Sequence, residues 1–481
     1  MQWKIPAIIV LLLLTGCTRV LKPEPPPAFA GALIRVWCPP KAADLVRAQM
    51  PAWQTRQQAS VEFVAQPDSA DLWILSPADV ARFSGCPVVP DQLTARGERF
   101  DWNGLLPLYR EQLCRLDASI VAVPLVGEAL VCVYRADLFT KHQDKYAAWR
   151  EVTKRTFLPL RAPLSWTEFR DQAAYFALVL GRPSLPPLPT DADQLDRLFF
   201  AIAAPHARRA IRADEDEGPD HLDEVFYFHY DRKTGQPRLD SPGFVYSLEL
   251  WRDLKKYAAP KNIRAANISD PATALAEGQA VLGLIEAGEL AVLQRSKVFR
   301  DKFNVCAIPG ADRFWDNTGK AHPQGGSINV VPYLGGAGFL AAVSPRAAQA
   351  EAAWDLLADL AGPMRAAQIA LEPRWGGGPT RSEQLLRDRW DSFGLDAARS
   401  QQLREAVGRT TLQHGIKNPV LVLRMADQAA RREAVVRVIQ QESGTPKEAL
   451  QEAVIEWQRL DEKLGKGRAL SEYKRSLGLT D

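Results

Sequence analysis

Leu33-Ile34-Arg35-Val36-Trp37, closed by Pro39-Pro40, is a short strand-like run, and the segments after it decide the architecture. A helical stretch covers residues 42–58, and strand-like runs return at 61–65 and 71–75. Strands that alternate with helices predict a mainly parallel sheet covered on both faces, because parallel neighbours need a crossover and the crossover packs on the sheet. The folded body therefore opens as an α/β lobe. Upstream, Lys22-Pro23-Glu24-Pro25-Pro26-Pro27 has few backbone donors and favours extended polyproline geometry, so residues 18–30 read as a stalk. Further upstream, Lys4 precedes ten uncharged residues, 5–14, which run into Leu14-Thr15-Gly16-Cys17. A basic start, an apolar core about half the ~20 residues of a spanning helix, and small residues before a cysteine describe a bacterial export signal with lipidation at Cys17. An uncleaved anchor and cleavage after Ala28-Phe29-Ala30 are the alternatives, the second disfavoured by the polar, proline-rich gap before it.

The remaining chain has room for two or three domains at roughly 100–200 residues each. Its 46% apolar and 24% charged residues can build cores and exclude a disordered chain. Sixty basic against 57 acidic side chains leave +3, too even for a nucleic-acid footprint. Asp214-Glu215-Asp216-Glu217 reads as a solvated loop, and no second apolar run is long enough to cross a bilayer. Besides Cys17 there are Cys38, Cys86, Cys114, Cys132 and Cys306, an odd set without a Cys-x-x-Cys pair, which argues against zinc ribbons and thioredoxin-like chemistry.

Capping side chains precede proline at Ser76-Pro77, Ser241-Pro242, Asp270-Pro271 and Ser344-Pro345, and Ser165-Trp166-Thr167-Glu168 reads as a capping box. Helices are expected after each. A hairpin-like stretch, 225–230, turns at Lys233-Thr234-Gly235, and strands are expected at 280–285, 303–308 and 338–343. Beyond Pro345 the chain reads as almost wholly helical. Enzyme signatures are missing: there is no Gly-x-Ser-x-Gly elbow, P-loop or His-Glu-x-x-His, and no two of the six histidines share a helical face. Glycines at 325–326, 335–336 and 376–378 lack the dinucleotide fingerprint and mark turns or close backbone approaches.

Four segments in order resemble one family, the extracellular solute-binding proteins of ABC importers that include maltose-binding protein. They are Ala122-Val123-Pro124-Leu125-Val126-Gly127-Glu128-Ala129-Leu130-Val131-Cys132-Val133-Tyr134, followed by Arg135-Ala136-Asp137-Leu138-Phe139; Ser165-Trp166-Thr167-Glu168-Phe169; Leu239-Asp240-Ser241-Pro242 leading to Trp251; and Gly335-Gly336-Ala337-Gly338-Phe339-Leu340-Ala341 leading to Ala353-Trp354, with Pro379-Thr380-Arg381 behind. Ala276-Glu277-Gly278-Gln279-Ala280-Val281-Leu282 is similar to a further strand of the family, from which Gln279 and Leu282 depart.

The resemblance implies an α/β, two-lobed periplasmic-binding-protein-like fold of type II, each lobe a mainly parallel sheet flanked by helices, with extra C-terminal helices. Lobe one would hold 31–134 and 302–343, lobe two 135–301 and 344–481, with hinge strands at 131–135 and 303–307. It further implies a monomeric, membrane-anchored lipoprotein of the cell envelope, facing the periplasm or exterior. That protein would take a small solute, best a carbohydrate, and pass it to an ABC permease, without catalysis, cofactor, metal or nucleic acid.

Glu128 matches a ligand-binding glutamate of the family's hinge strand; a hinge-stabilising ion pair is the alternative. Ser76 and Asp79 fall where the third strand meets a helix start, at the edge where open sheets bind ligands, though Ser76 also suits a cap. Lys41 comes just after the first strand and suits either a ligand or plain solvent. Glu286 and Trp375 come after the matched strand and glycine region. Thirteen tryptophans suit sugar stacking and a large core equally well. The rivals are a surface-anchored carbohydrate-active hydrolase using Glu128 and Asp79 as acid and base, and a binding or sensing domain without a transporter.

Overall fold

The computed structural model describes residues 27–83, 85–95, 100–155, 158–211, 226–259, 271–372, 377–386, 394–411, 419–441 and 443–479. Cys17, most of the stalk, Asp214 to Glu217, Asp270 and Trp375 lie outside the described residues. Among the described residues no helix is long and apolar enough to cross a membrane.

The opening run is a strand, Leu33–Trp37, with Ile34 and Val36 fully buried and its other side chains less so, the period-two pattern of a sheet with one covered face. It sits in a five-stranded sheet ordered Ser60–Phe63, Leu33–Trp37, Leu72–Leu75, Phe339–Val343, Val123–Val126. The first three strands run parallel; Phe339–Val343 runs against both of its neighbours. Leu72–Leu75 is buried throughout, as a central strand covered on both faces must be. The single helix expected over 42–58 is two, Pro40–Arg47 and Pro51–Gln57, because Pro51 cannot donate into the preceding turn but suits a new first turn. Trp53 ties the second of these to helix Ala350–Ala361 through an Nε1–H bond of 2.8 Å to Asp355.

A second sheet orders Leu282–Glu286, Leu130–Arg135, Phe303–Cys306. The outer two strands point the same way and enclose helix Leu290–Arg295 between them in sequence, a crossover of the kind expected. The central strand runs against both, so this sheet is antiparallel pair by pair rather than mainly parallel. It arrives from the first sheet and not through a crossover helix, so nothing forces its direction. Alternation sorts its side chains: Val131 and Val133 enter one core with Phe303, Val305 and Leu403, while Cys132 and Tyr134 enter another with Trp166, Phe200 and Trp251.

The C-terminal helices Gln428–Gln440, Pro446–Leu464 and Lys466–Ser476 join that last core. Trp251 donates to the Ile439 carbonyl at 3.2 Å, and Thr445 with Glu448 forms a full capping box. The cores divide the chain differently from the sequence reading. Strands Leu130–Arg135 and Phe303–Cys306 share the second sheet, and helices Ala350–Ala361 and Pro363–Leu371 pack in the first core through Leu356, Leu357, Leu360 and Ile369. The chain thus passes between sheets at residues 127–129 and again just before Phe339.

Local starts differ in detail. Ser165 accepts the Glu168 N–H at 3.1 Å, but Glu168 reaches back to the Leu164 N–H rather than to the cap's own. Ser241 makes no side-chain cap bond, and after Ser344-Pro345 the helix waits until Ala350, Ser344 instead holding the Arg346 N–H of a turn at 3.2 Å. The expected hairpin shrinks to one bridge, Tyr230 to Pro237, whose turn is held by the Asp231 carboxylate.

Candidate functional site

The crossing between the sheets begins at Gly127, whose N–H donates to the Gly378 carbonyl at 3.0 Å. A side chain on Gly378 would stand 2.0 Å from the Gly127 oxygen, so only glycine lets the two backbones meet. The next residue, Glu128, is 1% exposed. One of its oxygens accepts the Gly335 N–H at 2.8 Å and the other the Ala337 N–H at 3.1 Å. Its own N–H donates to the Tyr109 hydroxyl at 3.2 Å. Glu128 therefore fastens one passage between the sheets to the other.

The counter-charge comes from Arg197, on helix Ala192–Ala207, with a nitrogen 3.4 Å from Glu128 and a second contact to Glu286. Burial pushes the Glu128 carboxyl up, while Arg197 and the Gly335 N–H pull it down. Burial opposes the Arg197 charge, but Glu286 and Glu128 outweigh it and hold the guanidinium above its usual range. Gly336 makes the approach possible: a Cβ there would lie 2.8 Å from Arg197 Cγ. Glu286, at the end of its strand, is 24% exposed in its side chain and also receives the Ala129 N–H at 3.4 Å.

Beside this cluster a cavity of about 120 Å³ is lined by Leu130, Trp166, Gln194, Arg197, Trp251 and Glu286, among others. Indole faces with a guanidinium, an amide and a carboxylate can stack on apolar C–H surfaces and hydrogen-bond hydroxyls. Trp166 Nε1–H is buried and finds no acceptor among the described residues, so a polar group in the cavity's neighbourhood would gain a donor. No group of three metal-ligating side chains occurs among the described residues.

Of the residues singled out by sequence, the structure joins Glu128 and Glu286 through Arg197. Glu128 itself faces inward, with both oxygens engaged. Ser76 accepts the Ala78 N–H at 3.3 Å, the capping arrangement, at the end of strand Leu72–Leu75. Asp79 is half-buried in the first turn of the short helix Pro77–Phe83. Neither is among the residues that line the cavity, although Ala78 between them packs into the second core. Lys41 lies on helix Pro40–Arg47. Sequence reasoning missed Arg197, whose signal was a charged pair, Asp196-Arg197, inside the apolar run Leu195 to Phe200. Trp166 and Trp251, both in motif segments, are buried in the core and line the cavity as well.

No family model matches the chain, and no curated protein matches it by sequence. Solved structures do. A maltose-bound MalE3 of T. maritima is similar at 17% identity and TM-score 0.61, over 89% of this chain and 100% of that one. The GacH receptor of Streptomyces glaucescens, described free and with acarbose, is similar at 15% identity and TM-score 0.59, over 89% and 98%. An ABC transporter solute-binding protein of Agrobacterium radiobacter K84 in complex with ribitol is similar at 14% identity and TM-score 0.61, over 90% and 99%. At such identities the likeness establishes the fold, and the chain has the type II periplasmic-binding-protein fold that its motifs anticipated.

Proposed function

We propose that the protein is a lipid-anchored extracytoplasmic receptor that captures a small carbohydrate or polyol between its lobes and delivers it to an ABC permease. The observation that carries this reading is the tryptophan-lined cavity beside Arg197 and Glu286, at the place where the chain crosses between two sheets. Similar folds hold maltose, acarbose and ribitol, ligands rich in hydroxyls with apolar C–H faces. Gln194, Arg197 and Glu286 supply hydroxyl partners, and Trp166 and Trp251 supply stacking faces. Glu128 acts by holding Arg197, with Ser76 and Asp79 on the opposing side of the closing cleft. At 120 Å³ the cavity is below the roughly 300 Å³ of common ligand sites and its lining comes from the second lobe alone, so closure of the first lobe over it would complete the site. The hydrolase reading has against it that Glu128, its acid or base, is committed to two N–H groups and a guanidinium.

A thermal-shift and calorimetric panel of maltose, ribitol, D-mannitol and monosaccharides tests the reading. A neutral sugar or polyol should raise the melting temperature and shrink the radius of gyration in small-angle scattering. Turnover of the bound sugar, or no binding across the panel, would overturn it. Replacing Cys17 by alanine should abolish incorporation of labelled fatty acid; equal labelling of the variant refutes the anchor.

A further inference from the structure

A second cleft, of about 470 Å³, shares no lining residue with the first. It opens between the small hairpin of Arg115–Leu116 and Ser119–Ile120 and the last helix, Lys466–Ser476. Its charges are lopsided. Arg115, Arg208, Arg424 and Arg475 line it, against Glu111 and Asp117. Asp117 is taken by Arg475 in a two-pronged pair at 2.6 and 2.7 Å, and Glu111 by Arg110 at 2.7 Å. Arg424, 2% exposed, spends its terminal nitrogens on backbone carbonyls, that of Gln112 at 3.1 Å and that of Arg115. Arg115 likewise donates to the carbonyls of Arg110 at 3.2 Å and Ala118 at 2.8 Å. Neither guanidinium meets a carboxylate among the described residues. Carbonyls satisfy hydrogen bonds but leave the charge uncompensated, and an uncompensated buried charge is costly. Accordingly, burial pushes Arg424 down to about 10, opposed only by the neighbouring Cys114 thiol.

Among the buried polar atoms of the lining, Arg424 Nε and His229 Nε2 have no hydrogen-bond partner among the described residues. Burial pushes His229 down to about 3, so its ring is neutral and offers hydrogen bonding without added charge. Phe226, Phe228 and Tyr473 give the same cleft aromatic surface. We propose that this cleft is a binding site for a small organic oxyanion, a carboxylate or phosphate ester of about sugar size, its anionic group held by Arg424 and Arg115 and its body laid against His229 and Tyr473. The site spans the molecule: Leu113 and Cys114 of the hairpin side belong to the first core, Phe228 and Tyr473 to the second. An anion here ties the lobes together, so its occupancy shifts their equilibrium. The inference is independent of the carbohydrate reading, and failure of either leaves the other standing.

The test uses the full chain at fixed ionic strength, with inorganic phosphate, D-glucuronate and neutral D-glucose as probes and sodium chloride as the matched control. Phosphate or glucuronate should raise the melting temperature above the chloride control while glucose leaves it unchanged. Glucuronate alone would assign an organic acid, phosphate alone a phosphate group. Arg424→Gln should weaken the bound probe at least tenfold. Arg115→Gln, at a half-buried position where folding is less exposed to the change, should weaken it several-fold. Equal affinity in both variants, or shifts no larger than those in chloride, would overturn the proposal. So would anion binding that emerges only after Asp214, Glu215, Asp216 and Glu217 are neutralised, because the arginines would then serve the chain's own acidic run.

Discussion

Two arginines of this protein each hold two carboxylates, and they do so for different ends. Arg431, fully buried on helix Gln428–Gln440, pairs with Asp427 one turn back at 2.7 Å and with Asp461 of the next helix at 2.9 Å. Its guanidinium lies near the rings of Tyr230 and Trp457, both centroids 5.7 Å away. Everything it touches belongs to one core. Arg197 joins Glu128 at the crossing between the sheets to Glu286 at a strand end, and its surroundings include a cavity. The same stoichiometry of charge therefore locks a bundle in one place and joins the crossing between the sheets to a strand end in the other. Similar burial does not mean equal surroundings; what differs is that the Arg197 pair borders a cavity while the Arg431 pair is closed in by aromatic rings.

The largest effects should come from removing the arginines. Arg431→Met strands Asp461 and should destabilise the fold by about 3–5 kcal/mol, the usual cost of breaking a buried pair from one side. Denaturant melts would read this, with sugar affinity per folded molecule unchanged. Arg197→Met should cost a similar amount for the same reason, but should also abolish sugar binding in the folded fraction. If Arg197→Met binds sugar normally, the two clusters are alike and the functional distinction fails.

Glu128→Gln comes next. Gln keeps the shape and one acceptor for the Gly335 or Ala337 N–H but loses the charge facing Arg197, so we expect about 1.5–3 kcal/mol of lost stability, the range of charge-assisted bonds. Affinity should fall through displacement of Arg197, and differential scanning calorimetry alongside titration separates the two. Lost affinity with an unchanged melt would instead place Glu128 against the ligand, the role its motif first suggested.

How much of the molecule was legible in its sequence depends on the range of each interaction. Leu33–Trp37 declared itself through local period, the Trp166 helix through its cap, and the Ala353-Trp354 helix through its motif, although the cap expected for it at Ser344 serves a turn instead. The fold class came from their order. The Pro51 break was written in the sequence and passed over because the apolar spacing continued across it. The reversed central strand of the second sheet was hidden, since direction there depends on which sheet the chain has just left. The site was half legible: Glu128 and Glu286 carry motif positions, but the arginine between them comes from a helix with no motif of its own. Gly336 and Gly378 looked like turns or close approaches, and only the packed structure says that Arg197 and Gly127 are what approaches.

The helix that carries Arg197 also meets the helix that carries Arg431, and this contact gives the smallest effect per pH unit. Asp196 precedes Arg197, Arg432 follows Arg431, and Arg432 pairs with Asp193 on the same helix as Asp196. Burial pushes Asp196 up to about 8, with Arg432 pulling down and Asp193 pushing up. One of its oxygens is buried without a hydrogen-bond partner among the described residues. A raised carboxyl keeps its proton in the folded state after the unfolded chain has lost it. The folded form then binds more protons between about pH 4 and pH 8, and stability must fall as pH rises through that window, by up to about 1.4 kcal/mol per unit. Below it both states are protonated and above it both are ionised, so the dependence flattens at each end. Asp196→Asn mimics the neutral acid and should remove this component of the slope, leaving a variant more stable than the parent at pH 8 and equal to it near pH 4. Denaturant midpoints at unit pH steps measure the difference. A parent and variant with parallel pH profiles would mean that Arg432 keeps Asp196 ionised, making it a further carboxylate bound to arginine rather than a neutral spacer between the two clusters.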